Sequence, residues 1–398
     1  MRGNSTTTYG TVTKGFHWLI ALLVITMIPL GIYANDLPYD TGDALAFKAQ
    51  VFSLHKTLGV FIFFVALARI AWAVSQPKPA LLNANKRLEA TLAEMVHWAL
   101  YAALVLVPLS GWIHHAATTG FAPIWWPFGQ GLPFVPKDEG VAHLFGSLHI
   151  IFERVLAISI FLHVAGALKH HFINKDATLK RMLPGTTEPE LIPAQHRSAL
   201  PILSAVGAYL LAMVVGASMG LFADTTVMEN EPALEVVESG WTVQDGTLAI
   251  TVRQLGSDVQ GSFADWTAAI DFTEVPNAEG VYGTVEVQIA ISSLTLGSVT
   301  AQAMGPDFLN AAEHGTASFK ADILADAQNY KAEGTLTLKG IEAPVLLPFS
   351  LSIDGDTATM QGQTRLNRTS FRVGESYPDE SSLGFDVAVE VNLTATRN

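Results

Sequence analysis

A chain of 398 residues is longer than one ordinary domain, and its 49% hydrophobic content with only 15% charged residues excludes a disordered polypeptide and points to membrane segments. Zero cysteines exclude disulfides, thiolate metal sites, iron–sulfur clusters and covalently attached c-type haem. The net charge of −13 is unevenly spread: residues 1–223 carry 15 Lys and Arg against 11 Asp and Glu, whereas residues 224–398 carry 8 against 25. Two different objects are joined in one chain.

Apolar stretches long enough to cross a bilayer core of roughly 30 Å follow one another through the first half. Gly15–Asn35 has no charge, Gln50–Val74 is broken only by Lys56 and Arg69, and Met95–Ala117 is clean. Ala142–Phe172 contains Glu153, Arg154 and Lys169, and Ser198–Ala223 is clean again. Five transmembrane helices are predicted. A signal peptide is a poor reading of the first, because no small-residue cleavage site follows and more spans do. Lys and Arg concentrate in the N-terminal tail, the second loop and the fourth loop, while the first loop is acidic and the third nearly neutral. The positive-inside bias then puts the N-terminus in the cytoplasm and everything after Ala223 on the outer side.

Eleven of the twelve histidines lie in residues 1–196, and an ionisable residue at membrane depth is a functional hypothesis by default. His17 opens the first span at the inner side and His55 opens the second at the outer side. The fourth carries His149 near the outer side and His163 deep toward the cytoplasm. Fourteen residues at about 1.5 Å rise separate these two by roughly 21 Å and nearly return them to one helix face. Two pairs result, His17 with His163 and His55 with His149. Facing helices of a four-helix bundle are the natural container for cofactors held this way. Neutral imidazole pairs without thiolate or carboxylate suit two b-type haems, and no set of three or four ligands for zinc is present. His97 shares the inner depth and is either a competing ligand or a propionate partner. Arg69 and Arg154 are candidate propionate contacts; Arg154 alternatively pairs with a neighbouring carboxylate. His114, His115 and His143 read as interfacial imidazoles.

Gly15-Phe-His-Trp18, Ser53-Leu-His-Lys-Thr-Leu-Gly59, Leu148-His149 and Leu162-His-Val-Ala-Gly-Ala-Leu-Lys-His-His171, with the tail Phe172 to Pro184, resemble the bacterial cytochrome b561 family over about residues 8–185. That resemblance implies a four-helix diheme membrane protein exchanging electrons with quinone, and carries the ligand role to His17, His55, His149 and His163. Lys169, His170 and His171 at the inner end of the fourth span are either interfacial anchors or proton donors to a ubiquinone-type substrate. The resemblance also allows superoxide as the electron source.

From about Glu229 the pattern becomes period-two alternation, as in Thr247–Val252, Tyr282–Ile289, Gly334–Leu338 and Phe385–Leu393, with turn chemistry at Asp245-Gly, Lys339-Gly and Asp354-Gly. Eight to ten strands predict an antiparallel barrel able to enclose one apolar ligand, with one short helix near Asp307–Ala312. The acidic surface disfavours nucleic acid as a partner. Gly261-Ser-Phe-Ala-Asp-Trp266, Asp307-Phe-Leu309, Tyr330–Gly340 with Pro344-Val345, and Arg365-Leu-Asn-Arg-Thr-Ser-Phe371 resemble the YceI-like family over about residues 235–397. That resemblance implies a lipocalin-like barrel binding polyisoprenoids, including isoprenoid quinones.

The expected organisation is a cytochrome b561-type haem domain at residues 1–190, a loop and fifth span at 191–223, a linker at 224–234 and a periplasmic barrel at 235–398. The expected function is a diheme b-type cytochrome of the bacterial inner membrane. It passes electrons between quinone and an outer-side redox partner, with the barrel binding an isoprenoid quinone or lipid. Two alternatives stand beside it: an isoprenoid carrier whose haem bundle is an anchor or sensor, and a cytochrome subunit of a soluble dehydrogenase or hydrogenase.

Overall fold

The computed structural model describes residues 2–118, 120–185, 198–223, 234, 239–297, 299–327 and 329–398. The linker expected at 224–234 lies outside the described residues except for Leu234. Two compact units divide the chain: Met1–Leu37 with Gln50–Thr118 and Pro123–Ala223 form one, and Pro38–Ala49 with Thr119–Ala122 and Asp224–Asn398 form the other.

All five expected spans are helices: α1 Thr11–Asp36, α2 Gly42–Ser75, α3 Arg87–Ala117, α4 Glu139–Lys169 and α5 Leu200–Ser218. Each is long and apolar enough to cross a membrane, so the chain is an integral membrane protein. Most run past the apolar stretch at one or both ends because the first and last helical turns tolerate polar residues. At α4, for example, Asp138 caps the start by accepting a hydrogen bond from the Val141 amide at 2.8 Å. Ile20 and Val24 of α1, Ala66 of α2, Ala103 and Leu104 of α3 and Leu156 of α4 make one shared core. Small residues at these contacts let helix backbones approach, as lipid-embedded bundles require. The fifth helix adds Tyr209, whose hydroxyl donates to the Ala99 carbonyl of α3 at 2.9 Å and whose ring meets Phe152 of α4.

The tail that follows α4 is tied back onto the start of the bundle. Lys14 donates to the carbonyls of Leu183 at 2.7 Å and Gly185 at 3.0 Å, and the Trp18 indole donates to Met182 at 2.8 Å. Buried Arg181 donates to the Ala80 carbonyl at 2.9 Å and to the Thr7 carbonyl, over the Tyr9 ring. Burial pushes the Tyr9 phenol above its ordinary range, with the Arg181 charge opposing. Of the basic run after α4, Arg181 thus satisfies two loop carbonyls.

The second unit is an antiparallel sheet that closes on itself. Eight strands form the circuit in the order β1 (Trp241–Gln254), β10 (Leu383–Arg397), β9 (Thr357–Asn367), β8 (Ile341–Asp354), β7 (Asn329–Leu338), β6 (Thr316–Asp326), β4 (Val281–Ala290) and β3 (Trp266–Phe272). The pair Trp241 and Ile270 joins β1 to β3 and completes the ring. The far half of β1 instead pairs with β2 (Ser257–Phe263), which carries the short β5 (Leu294–Thr295). Alternation sets the interior: Val387, Val389, Val391, Leu393 and Ala395 of β10 face the cavity, between outward Asp386, Glu390 and Asn392. Two local expectations fail. Asp245-Gly246 runs on inside β1, just after a bulge at Gln244, and is not a turn; Gly246 is needed where a Cβ would lie 2.7 Å from the Trp266 ring. The short helix falls at Thr300–Ala303, whereas residues 307–312 form successive turns.

Candidate functional site

The bundle depth expected to be the inner one, at the start of α1, gathers three imidazoles. The ring centroids of His17 on α1 and His163 on α4 are 6.0 Å apart, tilted by 58°. His97 of α3 meets His163 edge-on, with centroids 5.1 Å apart. Two metal–imidazole bonds of about 2.1 Å, laid end to end with the ring radii, would set two such ligands roughly 6.5 Å apart between centroids. His17 with His163 comes within about 0.5 Å of that spacing, and His97 with His163 is more than about 1 Å too close. The Nδ1 of His17 is buried and has no hydrogen-bond partner among the described residues. Arg69 of α2 acts electrostatically on all three histidines and lies 5.3 Å over the Tyr101 ring. It is placed as an anion partner for a group held there.

At the outer depth, His55 of α2 and His149 of α4 lie close enough to interact electrostatically. The Nδ1 of His149 faces the Val107 carbonyl of α3 at 2.8 Å. A carbonyl only accepts, so Nδ1 carries the proton and Nε2 keeps its lone pair for a metal. The Nδ1 of His55 is buried without a partner among the described residues. Both rings rest against glycines of neighbouring helices: a Cβ at Gly31 of α1 would lie 2.8 Å from His55 Cε1, and one at Gly111 of α3 would lie 3.0 Å from His149 Cε1 and Nδ1. Any larger residue at these two positions would displace a candidate ligand. Beside them, His114 donates from Nδ1 to the Ala142 carbonyl at 2.6 Å and packs against His115 with centroids 4.6 Å apart.

No group of three or more His, Asp or Glu side chains able to hold a bare metal ion is found among the described residues. The donor set is therefore imidazole pairs at two depths about 21 Å apart along α4, with buried unpartnered nitrogens and a nearby cation at the inner pair. Those residues fit haem b.

Of the two arginines named from sequence, only Arg69 stands beside the histidines. Arg154 is exposed on α4 and pairs at 3.3 Å with Glu153, the neighbouring carboxylate expected as its alternative partner. One helix turn separates faces that a sequence does not label. At the inner end of α4 the helix widens into a π-turn, His170–Asn174, a feature frequent at functional sites. Lys169 pairs with Glu89 at 2.7 Å, and the His170 Nδ1 meets the Asp176 carboxylate at 2.5 Å. Burial opposes ionisation of Asp176, but hydrogen bonds from Thr178 and His170 hold its carboxyl below the usual range.

The barrel encloses a cavity of about 310 Å³. Its wall is almost wholly aliphatic and aromatic, with Gln254, Gln302, Thr364 and Arg368 as the polar exceptions. Such a space suits a long apolar molecule.

The family description of prokaryotic cytochrome b561 matches residues 8–185, and that of the YceI-like domain matches residues 241–395. Cytochrome b561 homolog 2 of Escherichia coli strain K12 is 35% identical over 182 residues, which cover 45% of this chain and 93% of the relative. The chain belongs to the prokaryotic cytochrome b561 family. Its second half is a YceI-like domain. The probable superoxide oxidase CybB of Yersinia pestis is 27% identical over 177 residues, covering 44% of this cytochrome and 96% of the relative. The crystal structure of Burkholderia cenocepacia BcnA is 26% identical, covers 38% of this chain and 96% of its own, and superposes with a TM-score of 0.35. Haem b follows from the cytochrome b561 family.

Sequence reasoning found the histidines but missed Gly31, Gly111, Glu89, Tyr101, Asp176 and Gln254. An interior glycine in an apolar helix was the available signal for the first two. The others are partners across space and left no mark in local pattern.

Proposed function

We propose that this protein is a diheme b-type cytochrome of the bacterial inner membrane that moves electrons between a quinone and an outer-side partner, its barrel binding an isoprenoid. His17 with His163 and His55 with His149 are the axial ligand pairs. The observation that carries this reading is the 6.0 Å centroid spacing of His17 and His163, set on the helix that also holds His149 one bundle-depth away. Each haem, when bound, supplies a one-electron centre. His149 is oriented for its role by the Val107 carbonyl, and Arg69, whose charge acts on His17 and His163, would offset a haem propionate there. The bundle's apolar core around Ile20, Ala66, Ala103 and Leu156 excludes water between the two depths.

Reduction of a quinone consumes two protons with two electrons. The His170–Asp176 pair at the inner end of α4 holds a proton at Nδ1 of His170, within reach of the cytoplasmic side. The Lys and Arg bias of the loops supports an N-terminus in the cytoplasm and a barrel in the periplasm. The name of the Yersinia pestis relative makes superoxide a reasonable donor on the outer side. The assay is reduction of a soluble ubiquinone analogue by the purified protein under a superoxide flux, followed at the haem Soret band. Stoichiometric quinol with transient haem reduction is the expected result. Haems that stay oxidised, or that reduce without passing electrons to quinone, return the protein to the carrier reading.

A further inference from the structure

We propose that the barrel binds its ligand in one orientation and selects an uncharged, hydroxyl-bearing isoprenoid, with Gln254 as the contact for the head. This deepens the isoprenoid-binding reading above and rests on it.

The cavity has chemically distinct ends. Trp241 opens β1 and Gln254 closes it, and these two residues pair across to Arg397 and Leu383 at opposite ends of β10. Around Trp241 the wall is apolar: Ala358 and Ala395 are buried with it, and Ile270, Phe272 and Leu393 pack against them. Three of the four polar wall residues sit instead at the Gln254 end. Arg368 follows β9 and donates to the Leu383 carbonyl, the residue opposite Gln254, and to the Tyr377 carbonyl, while the Tyr377 hydroxyl accepts from Gln302 at 3.1 Å. An amphiphile entering this space therefore places its head by Gln254 and its tail toward Trp241.

The head must be uncharged, because the one cation among the described wall residues has no donor left. All five donor positions of Arg368 are taken by backbone carbonyls: Nε by Gly384, one terminal nitrogen by Val373 and Gly374, the other by Tyr377 and Leu383, at 2.5 to 3.1 Å. The fourth polar residue, Thr364, gives its hydroxyl to the Leu346 carbonyl at 2.8 Å. A phosphate or diphosphate head would enter a low-dielectric wall whose cation is already engaged, and would carry a heavy desolvation cost.

Gln254 is different. It is 4% exposed, and its Oε1 is buried without a hydrogen-bond partner among the described residues. A buried acceptor left unmade costs free energy unless something fills it. Gln254 lines the cavity, so a turn of its carboxamide would bring this acceptor to a hydroxyl bound there. The chemistry fits an isoprenoid alcohol or a hydroquinone equally.

The test uses the full chain in lipid nanodiscs and native mass spectrometry with four competing probes: a polyprenol, its phosphate monoester, reduced ubiquinone and squalene. The wild type is expected to prefer at least one hydroxyl-bearing probe over both the phosphate and headless squalene by about tenfold. Which of the two hydroxyl probes wins identifies the source of the head. Gln254→Leu and Gln254→Met should lower binding of that probe to the level of squalene while leaving squalene unchanged. A phosphate ester that binds as tightly as the alcohol overturns the proposal. So does hydroxyl-probe binding unmoved by both variants, or loss of squalene in equal measure, which would make Gln254 a packing residue only. If none of the four probes binds the wild type, the isoprenoid-binding reading itself fails.

Discussion

Replacing Gly31 or Gly111 by alanine tests whether the imidazoles beside them carry metal. A Cβ at position 31 would sit 2.8 Å from His55 Cε1, and one at 111 would sit 3.0 Å from two atoms of His149. Carbon contacts settle near 3.5 Å, so the His55 ring must retreat by roughly 0.7 Å and the His149 ring by roughly 0.5 Å. His149 has the less freedom of the two, because its retreat also strains the 2.8 Å bond to the Val107 carbonyl, worth about 1 kcal/mol. Loss of such positioning costs metal affinity roughly 10- to 100-fold in known sites. Each variant is therefore expected to lose or weaken the outer haem alone, read as one missing component in a potentiometric titration of the b-haem band. Gly166 on α4 and Gly207 on α5 have open space where a Cβ would go. Alanine there should leave both haems intact and, by helix propensity, raise stability by roughly 0.5–1 kcal/mol. Two unaltered haem components in both Gly31→Ala and Gly111→Ala would refute the placement of the outer ligands.

Arg69→Gln should lower the potential of the inner haem and spare the outer one, since removing a nearby positive charge favours the oxidised state; the same titration reads it. Arg368→Met strands five carbonyls that the guanidinium now satisfies. At about 1 kcal/mol for each lost bond the barrel should lose about 5 kcal/mol, which is roughly 10–20 °C in Tm for a domain this size. Arg368→Lys should recover only part of that, because an ammonium has three donors on one atom; calorimetry on both variants decides. Asp176 titrates below its ordinary value in the folded protein. Its contribution is thus complete above about pH 4 and is lost as pH falls through the lower folded value. Asp176→Asn should remove that contribution at neutral pH, so the acid limb of a thermal-stability profile flattens; an unchanged limb would assign the acid sensitivity elsewhere.

The two-part plan of the molecule was legible because each half obeys a solvent. Uncharged runs such as Gly15–Asn35 have one stable answer in lipid, a helix, and alternation such as Val387–Leu393 has one in a closed sheet. The spacing of His149 and His163 was legible for the same reason, since a continuous helix fixes both depth and face. What failed were decisions made by packing. Asp245-Gly246 has turn residues but sits in a strand, because the glycine makes room for Trp266. His17 and His97 share a depth, and only the distances to His163 separate them. Gln254 reads as an ordinary strand residue until the register sets it beside the cavity with an unmet acceptor.

The central claim is that four named histidines hold two haems, and a pyridine-haemochrome count per chain tests it most directly. The wild type should contain two b haems. His163→Ala and His149→Ala should each contain one, while His97→Ala keeps two. A single haem in the wild type, or two in His163→Ala, would contradict the assignment.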